Sequence, residues 1–173
     1  MMLADMGAEV IKIEQPGAGD ETRKWGPPFR GPDSTYFLSI NRNKKSVTVD
    51  LKSEAGRKIV YDLTSRADIF LTNFVPSQVE KLKLDYDTLK GVNSKIIYAS
   101  VQGFPLESAW KNKAAFDLTI QAMSGLMHCT GDPDGSPFKV GYAVTDILTG
   151  MTMLQGILGA VIHKERTGEG KGT

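Results

Sequence analysis

Cysteine is almost missing from this 173-residue chain; Cys129 is the only one. A single thiol makes neither a disulfide framework nor a cysteine-rich metal site. Histidine is nearly as scarce, with His128 and His163 alone, so a zinc site is not expected and no metal ligand is assigned. Net charge is lacking too. Against 20 acidic residues stand 21 basic ones, a balance of +1, spread along the chain, so neither a nucleic-acid nor a membrane partner is expected. No apolar run approaches the ~20 residues of a membrane span, and no signal peptide is expected. The G-x-x-x-x-G-K-[ST], G-x-G-x-x-G and G-x-S-x-G spacings are absent as well, which removes the sequence warrant for a P-loop, a dinucleotide fingerprint or a serine-hydrolase elbow.

What is present is ordinary in bulk: 40% hydrophobic and 24% charged residues, in a chain about the size of one domain. "AEVIKIE" (8–14) reads as a buried parallel strand after Gly7. Residues 15–33 are rich in Gly and Pro and read as loop. Residues 35–51 are expected to hold one or two short strands around a basic turn at Arg42 to Lys45. "SEAGRKIVYDLTSR" (53–66) predicts a helix capped by Ser53 with Ile59, Val60 and Leu63 on one face. "ADIFLTNF" (67–74) and "KIIYASVQGF" (95–104) read as strands, separated by short helices near 78–83 and 86–91. Residues 114–127 predict a buried helix. From Thr145 to Arg166 a long helix follows, with Gly150, Gly156 and Gly159 allowing close approach of another backbone. This order predicts an α/β fold with a parallel sheet and flanking helices. Ligands of such sheets bind where strands end, so residues 14–20, 73–75 and 102–104 are expected on one rim. Both chain ends read as cuts, and the chain is expected to be a piece of a longer protein.

Individual residues leave alternatives open. Glu14 stands at a strand end, where dinucleotide-binding folds place a ribose-binding acid; a solvated strand end is the plainer reading. The glycines of "PGAGDETR" are only a weak phosphate cradle. Lys81, Lys83 and Lys113 suit a polyphosphate or simply a wet surface. His128 reads as structural. Asp146 opens the long helix within "GYAVTDILTGM", where it serves either as an N-cap or as a reactive carboxylate.

Several segments taken in order, "LADMGAEVIKIEQPGAGDETRKWGPPF", "NRNKKSVTVDL", "DIFLTNFVP", "AAFDLTIQAMSGLM" and "TDILTGMTMLQGILGAVIHKERTGEGKG", resemble the family III CoA-transferases. Within that family, "TYFLSINRNKKS" and "SGLMHCTG" are most similar to members that handle dicarboxylic acids. The resemblance implies that residues 1–173 are an incomplete N-terminal part of a Rossmann-like large CoA-binding domain, without the small domain and the returning chain. It implies a CoA-transferase using a coenzyme A thioester as substrate and no prosthetic group. The donor would be an acyl-CoA such as succinyl-CoA, the acceptor a carboxylic acid such as glutarate, and the full protein an interlocked homodimer. The segment alone is expected to be inactive. A eukaryotic dicarboxylate member would be mitochondrial, and other members cytoplasmic.

By the same resemblance, Asp146 is the catalytic nucleophile, passing through a mixed anhydride and an aspartyl-CoA thioester, and Asp117 is the acidic residue beside it. Asp146 would be helix cap and nucleophile at once, kept ionised by the helix dipole and free N–H groups. Asn73, Phe74 and Val75 match a strand-end contact to CoA, Val49 and Asp50 a stretch along the cofactor, and Lys81 a phosphate contact. Gln15 stands where some members carry an Arg that meets the adenine end, and Lys113 takes the place of an Arg before "AAFD". The loop "GFPLESAWKNK" departs from the usual Gly/Thr/Pro pattern. Two alternatives stand beside the transferase: a non-catalytic CoA-binding module, and a 2-methylacyl-CoA racemase. The racemase branch places a histidine where Phe116 stands, and a two-base proton exchange needs that titrating group.

Overall fold

A short opening helix, α1 (Met2–Asp5), stops before Gly7 at φ 99°, and the β-branched run behind it forms strand β1 (Val10–Glu14). These elements begin the first of two compact units, Met1–Asp62 and Leu63–Thr173, in the computed structural model, which describes residues 1–172. The loop after β1 carries more structure than its Gly and Pro content predicts. Asp20 accepts a hydrogen bond from Thr22 N–H at 2.8 Å and caps a 3-10 turn over Glu21–Lys24. Two short strands follow as an antiparallel pair, β2 (Phe29–Arg30) and β3 (Asp33–Ser34).

Helix α2 (Thr35–Asn41) replaces the strand expected there. Tyr, Phe and Ile favour strands in isolation, but fully buried Ser34 accepts from Phe37 N–H at 3.0 Å and starts a helix that buries Phe37. Strand β4 (Lys44–Thr48) then pairs in parallel with β1, in register from Val10–Lys44 to Glu14–Thr48. Helix α3 (Glu54–Thr64) opens with Ser53 Oγ accepting from Gly56 N–H at 2.9 Å, as its cap position predicts. Its buried residues are Gly56, Val60 and Thr64, at i, i+4 and i+8, whereas Ile59 is exposed, contrary to expectation.

In the second unit β5 (Ile69–Thr72) leads to α4 (Pro76–Leu82), with proline in its first turn. Then come α5 (Tyr86–Val92), capped by Asp85, and β6 (Ile97–Ser100). β5 and β6 pair in parallel from Ile69–Ile97 to Thr72–Ser100, so residues 73–75 and 101–104 both leave at the carboxyl end of this pair. Ile96, Ile97, Ala99 and Leu89 are buried at 1% exposure or less and form the core. Tyr98 donates to the Leu84 carbonyl at 3.1 Å, and burial pushes its phenol up to about 12.

The helical remainder departs from the sequence reading in four ways. The segment 114–127 becomes α6 (Asp117–Met123) and α7 (Leu126–Cys129), divided at Gly125, whose φ of 81° suits glycine. It is not a buried apolar helix: Leu118 and Met123 are each 52% exposed, and the one fully buried residue of α6 is polar Gln121. The final helix, α8 (Val144–Thr167), packs on β6 and α6. A methyl added at Gly150 or Gly159 meets no atom within 4 Å, so no backbone approaches closely there among the described residues. With 24 residues and a window of mean hydropathy 1.4, α8 has the length and composition to cross a membrane. That revises the expectation that no segment approaches this length; Thr, Gln and Gly interrupt its apolar residues without lowering the mean enough.

Candidate functional site

The long helix begins without a cap of its own. Its N-cap position is Ala143, which has no side-chain acceptor, although the first N–H groups of any helix need partners. Asp117, the first residue of α6, supplies one. Its Oδ1 accepts from Thr145 N–H at 2.8 Å and from Thr145 Oγ1 at 2.7 Å, and the backbone N–H of Asp146 also donates to this carboxylate. Asp146, in the first turn of α8, is therefore not the cap. That part of the sequence reading is corrected, because Asp117, 28 positions before Thr145, holds the N–H groups a local cap would take.

The two carboxylates shift in opposite directions. Burial pushes the Asp117 carboxyl up, but hydrogen bonds from Thr145, Gln121 and Asp146 N–H outweigh it and hold the group below the usual carboxylate range. Asp146 is raised, first by loss of solvent and then by the negative charge of Asp117. Helix N–H groups do not lower the Asp146 carboxyl as the sequence reading expected, since Asp117 has taken them. A more basic carboxylate is a stronger nucleophile, which makes Asp146 the candidate nucleophile of the pair. Phe116, just before Asp117, is 66% exposed.

Beyond β5, Asn73 is exposed and Phe74 and Val75 are half-buried. Phe74 N–H donates to Thr72 Oγ1 at 3.2 Å, which fixes the chain as it leaves the strand. After β6, residues Ser100 and Gln102 to Leu106 line an open cleft of about 420 Å³. Gln102 Oε1 is buried there without a hydrogen-bond partner among the described residues. Lys81 is exposed in the last turn of α4, and the Lys113 ammonium lies 4.9 Å above the Trp110 ring. His128 is exposed on α7.

In the first unit Val49 is buried and donates to the Glu14 carbonyl at 2.9 Å, whereas Gln15 and Asp50 are exposed. Glu14 fits neither of its sequence readings. It is 6% exposed, and its carboxylate receives Arg23 Nη2 at 3.1 Å, Ser46 Oγ at 2.8 Å and Asp20 N–H at 2.8 Å. Arg23 also donates to Asp33 at 3.0 Å and lies 3.9 Å over the Phe37 ring; Lys12 pairs with Asp20. Burial pushes Glu14 up, yet these donors bring it below its ordinary value. The "PGAGD" loop thus wraps an anion, but that anion is the protein's own carboxylate. Gly19 is needed for the wrap, since its φ is 65° and an added Cβ would lie 2.9 Å from Glu14 Oε2. Nothing is left on Glu14 for a ribose.

Parallel strand pairs flanked by helices define an α/β protein, and the two carboxylates of unlike basicity near the start of α8 form its candidate site. The chain belongs to CoA-transferase family III, whose sequence model matches residues 1–172. It is 45% identical over 170 residues to succinyl-CoA:glutarate CoA-transferase of Mus musculus, covering 98% of this chain and 39% of that protein. It is 44% identical over 176 residues to succinate–glutarate CoA-transferase of Agrobacterium fabrum, covering 98% of this chain and 44% of that one. The crystal structure of a CAIB/BAIF family protein from Brucella suis superposes with a TM-score of 0.93 at 42% identity, over 98% of this chain and 46% of that one. The chain therefore spans less than half the length of the relatives it matches. Gln121 is the residue that sequence reasoning passed over. Its only signal was a single amide inside an otherwise apolar or small-residue stretch.

Proposed function

We propose that this chain forms part of a CoA-transferase that moves CoA from an acyl-CoA donor to a carboxylic acid, with Asp146 as nucleophile. Succinyl-CoA as donor and a dicarboxylate such as glutarate as acceptor are part of the proposal, supported by the names of the mouse and Agrobacterium relatives. The observation that carries the reading is the raised, exposed Asp146 carboxylate beside an Asp117 committed to the helix N–H groups.

The chemistry runs in four balanced exchanges. An Asp146 oxygen attacks the donor thioester carbonyl; the C–O bond of a mixed anhydride forms, the C–S bond breaks and CoA thiolate leaves. The thiolate attacks the aspartyl carbonyl carbon, giving an aspartyl-CoA thioester and releasing the donor acid as its carboxylate. The acceptor carboxylate then attacks that thioester, forming a second anhydride and freeing the thiolate again. Finally the thiolate attacks the acceptor's acyl carbon, which yields the new acyl-CoA and returns Asp146 as a carboxylate. Covalent catalysis of this kind divides one hard transfer into easier steps. No proton needs to move in the net reaction, so Phe116 beside Asp117 is no obstacle to transfer, whereas it leaves a racemase without its second base.

In this proposal the second unit's Asn73, Phe74, Val75, Lys81 and Lys113 contact CoA, and so do Gln15, Val49 and Asp50 of the first unit. Two full-length chains form the working assembly. The test is trapping. Full-length protein given acyl-CoA without acceptor should form a hydroxamate with hydroxylamine on the peptide that holds Asp146, seen by mass spectrometry. A hydroxamate on another residue, or none in a protein that exchanges CoA, removes Asp146 from the mechanism.

A further inference from the structure

One helical turn beyond Asp117 lies Gln121, which has no exposed surface. A buried primary amide must place an acceptor and two donor hydrogens, and Gln121 does so with three partners. Its Oε1 accepts from Val140 N–H at 2.8 Å. Its Nε2 donates to Asp117 Oδ2 at 2.5 Å and reaches the Tyr142 carbonyl at 3.4 Å. The segment before α8 is thereby tied to α6. The other carboxylate oxygen, Asp117 Oδ1, holds Thr145 at the start of α8. An apolar side chain would fill the same space without these bonds, so it is the amide rather than its bulk that the arrangement uses.

We infer that Gln121 is a positioning residue for the nucleophile: by holding Asp117 Oδ2 it leaves Oδ1 to the first turn of α8, and so fixes where the Asp146 side chain stands. An amide N–H donates only, so it favours the ionised form of Asp117, the form that accepts from Thr145 and sets a negative charge beside Asp146. Nothing in the transfer chemistry itself requires Gln121; it acts through Asp117 and through the segment 140–142. This inference rests on Asp146 being the nucleophile, and its test is arranged so that the two can fail separately.

In the full-length protein Gln121→Met keeps length and bulk but removes every hydrogen bond. With folding confirmed by melting temperature, kcat for CoA exchange should fall about 10- to 100-fold, the scale of a small misplacement of reacting groups. KM for acyl-CoA should stay within about twofold, because ground-state binding is untouched. The amides of Thr145 and Asp146 should exchange faster with deuterium.

Gln121→Glu gives a signature that a purely structural role lacks. Only the protonated carboxyl can donate to Asp117 while accepting from Val140, so kcat should approach the wild-type value at low pH and fall away as the introduced group ionises. The titratable and charged side chains on the elements that meet this position are Asp117 on α6, His128 and Cys129 on α7, Lys139 and Tyr142 before α8, Asp146 in its first turn, and His163, Lys164, Glu165 and Arg166 near its far end. Wild-type and Gln121→Met profiles, measured alongside, serve as the reference for any pH dependence that does not come from the introduced carboxyl. A folded Gln121→Met variant with wild-type kcat, or a Gln121→Glu profile parallel to wild type, overturns the inference. So does failure of both variants to fold, which would assign Gln121 to stability. Wild-type exchange by Asp146→Asn removes the nucleophile instead, whatever Gln121 does.

Discussion

Two acidic clusters, one in each unit, solve the burial of carboxylates in opposite ways. Glu14 is almost wholly buried, yet Arg23, Lys12, Ser46 and the Asp20 N–H surround it, and its pKa falls. Asp117 and Asp146 face each other's charge; hydrogen bonds satisfy the first, and the second is raised. The chemistry of the side chain is the same. What differs is the supply of donors, and that supply moves the two acids' basicities in opposite directions. A carboxylate with every lone pair engaged has little basicity left, whereas one whose neighbour has taken the available N–H groups keeps it.

Neutralising each acid in turn tests this contrast. Asp146→Asn should have the largest effect, lowering CoA exchange by about 1,000-fold or more, because in the proposed mechanism the amide cannot form the anhydride. Its melting temperature should hold or rise, since Asp146 caps nothing and its charge opposes that of Asp117. A folded variant exchanging at the wild-type rate would make both clusters merely structural. Glu14→Gln comes next and should act through stability, costing about 2–4 kcal/mol in denaturant unfolding because Arg23 loses its buried partner. A loss below about 0.5 kcal/mol, the scale of an ordinary surface change, would show that the compensated cluster contributes nothing.

A smaller change is expected away from both clusters. Replacing Asn73 and Phe74 together with Ala should weaken CoA binding about 10-fold, near 1.4 kcal/mol, by calorimetry on folded protein. Unchanged affinity would move the CoA site away from the end of β5.

The smallest effects lie in the pH dependence of stability, where the clusters should differ in sign. Glu14 is lowered from its ordinary value of 4.5, so its contribution is complete above that pH and is lost as pH falls through the folded value. Asp117, lowered from 3.8, behaves alike at lower pH. Asp146 is raised from 3.8. Its ionisation therefore costs stability at neutral pH, and the cost disappears as pH falls through the raised value toward 3.8. Urea midpoints for Asp146→Asn and wild type should differ most near neutrality and converge in acid, while the gap between Glu14→Gln and wild type should narrow in acid from the opposite side. Parallel wild-type and Asp146→Asn curves would mean that Asp146 is not under strain.

Much of this organisation was legible in the amino-acid sequence. "VIKIE", "IFLT" and "IYAS" show their strands through apolar and β-branched content, and Ser53 and Pro76 mark helix starts. The ordered segments from "LADMG" to "EGKG" carry the family, because a match along a whole chain does not depend on any single contact. These signals are local or cumulative, so residue type and spacing suffice to read them.

Tertiary structure alone decided the rest. Residues 35–41 became a helix because Ser34 could cap it and Phe37 could pack beneath Arg23. Glu14 lost its ligand-binding look when Arg23 and Ser46, 9 and 32 residues away, closed on it. Asp146 lost its role as a cap to Asp117, which binds Thr145 across 28 residues, and buried Gln121 joined them through Val140, 19 residues on. A carboxylate's basicity depends on which donors reach it in space, and chain spacing says nothing of donors that arrive from another helix.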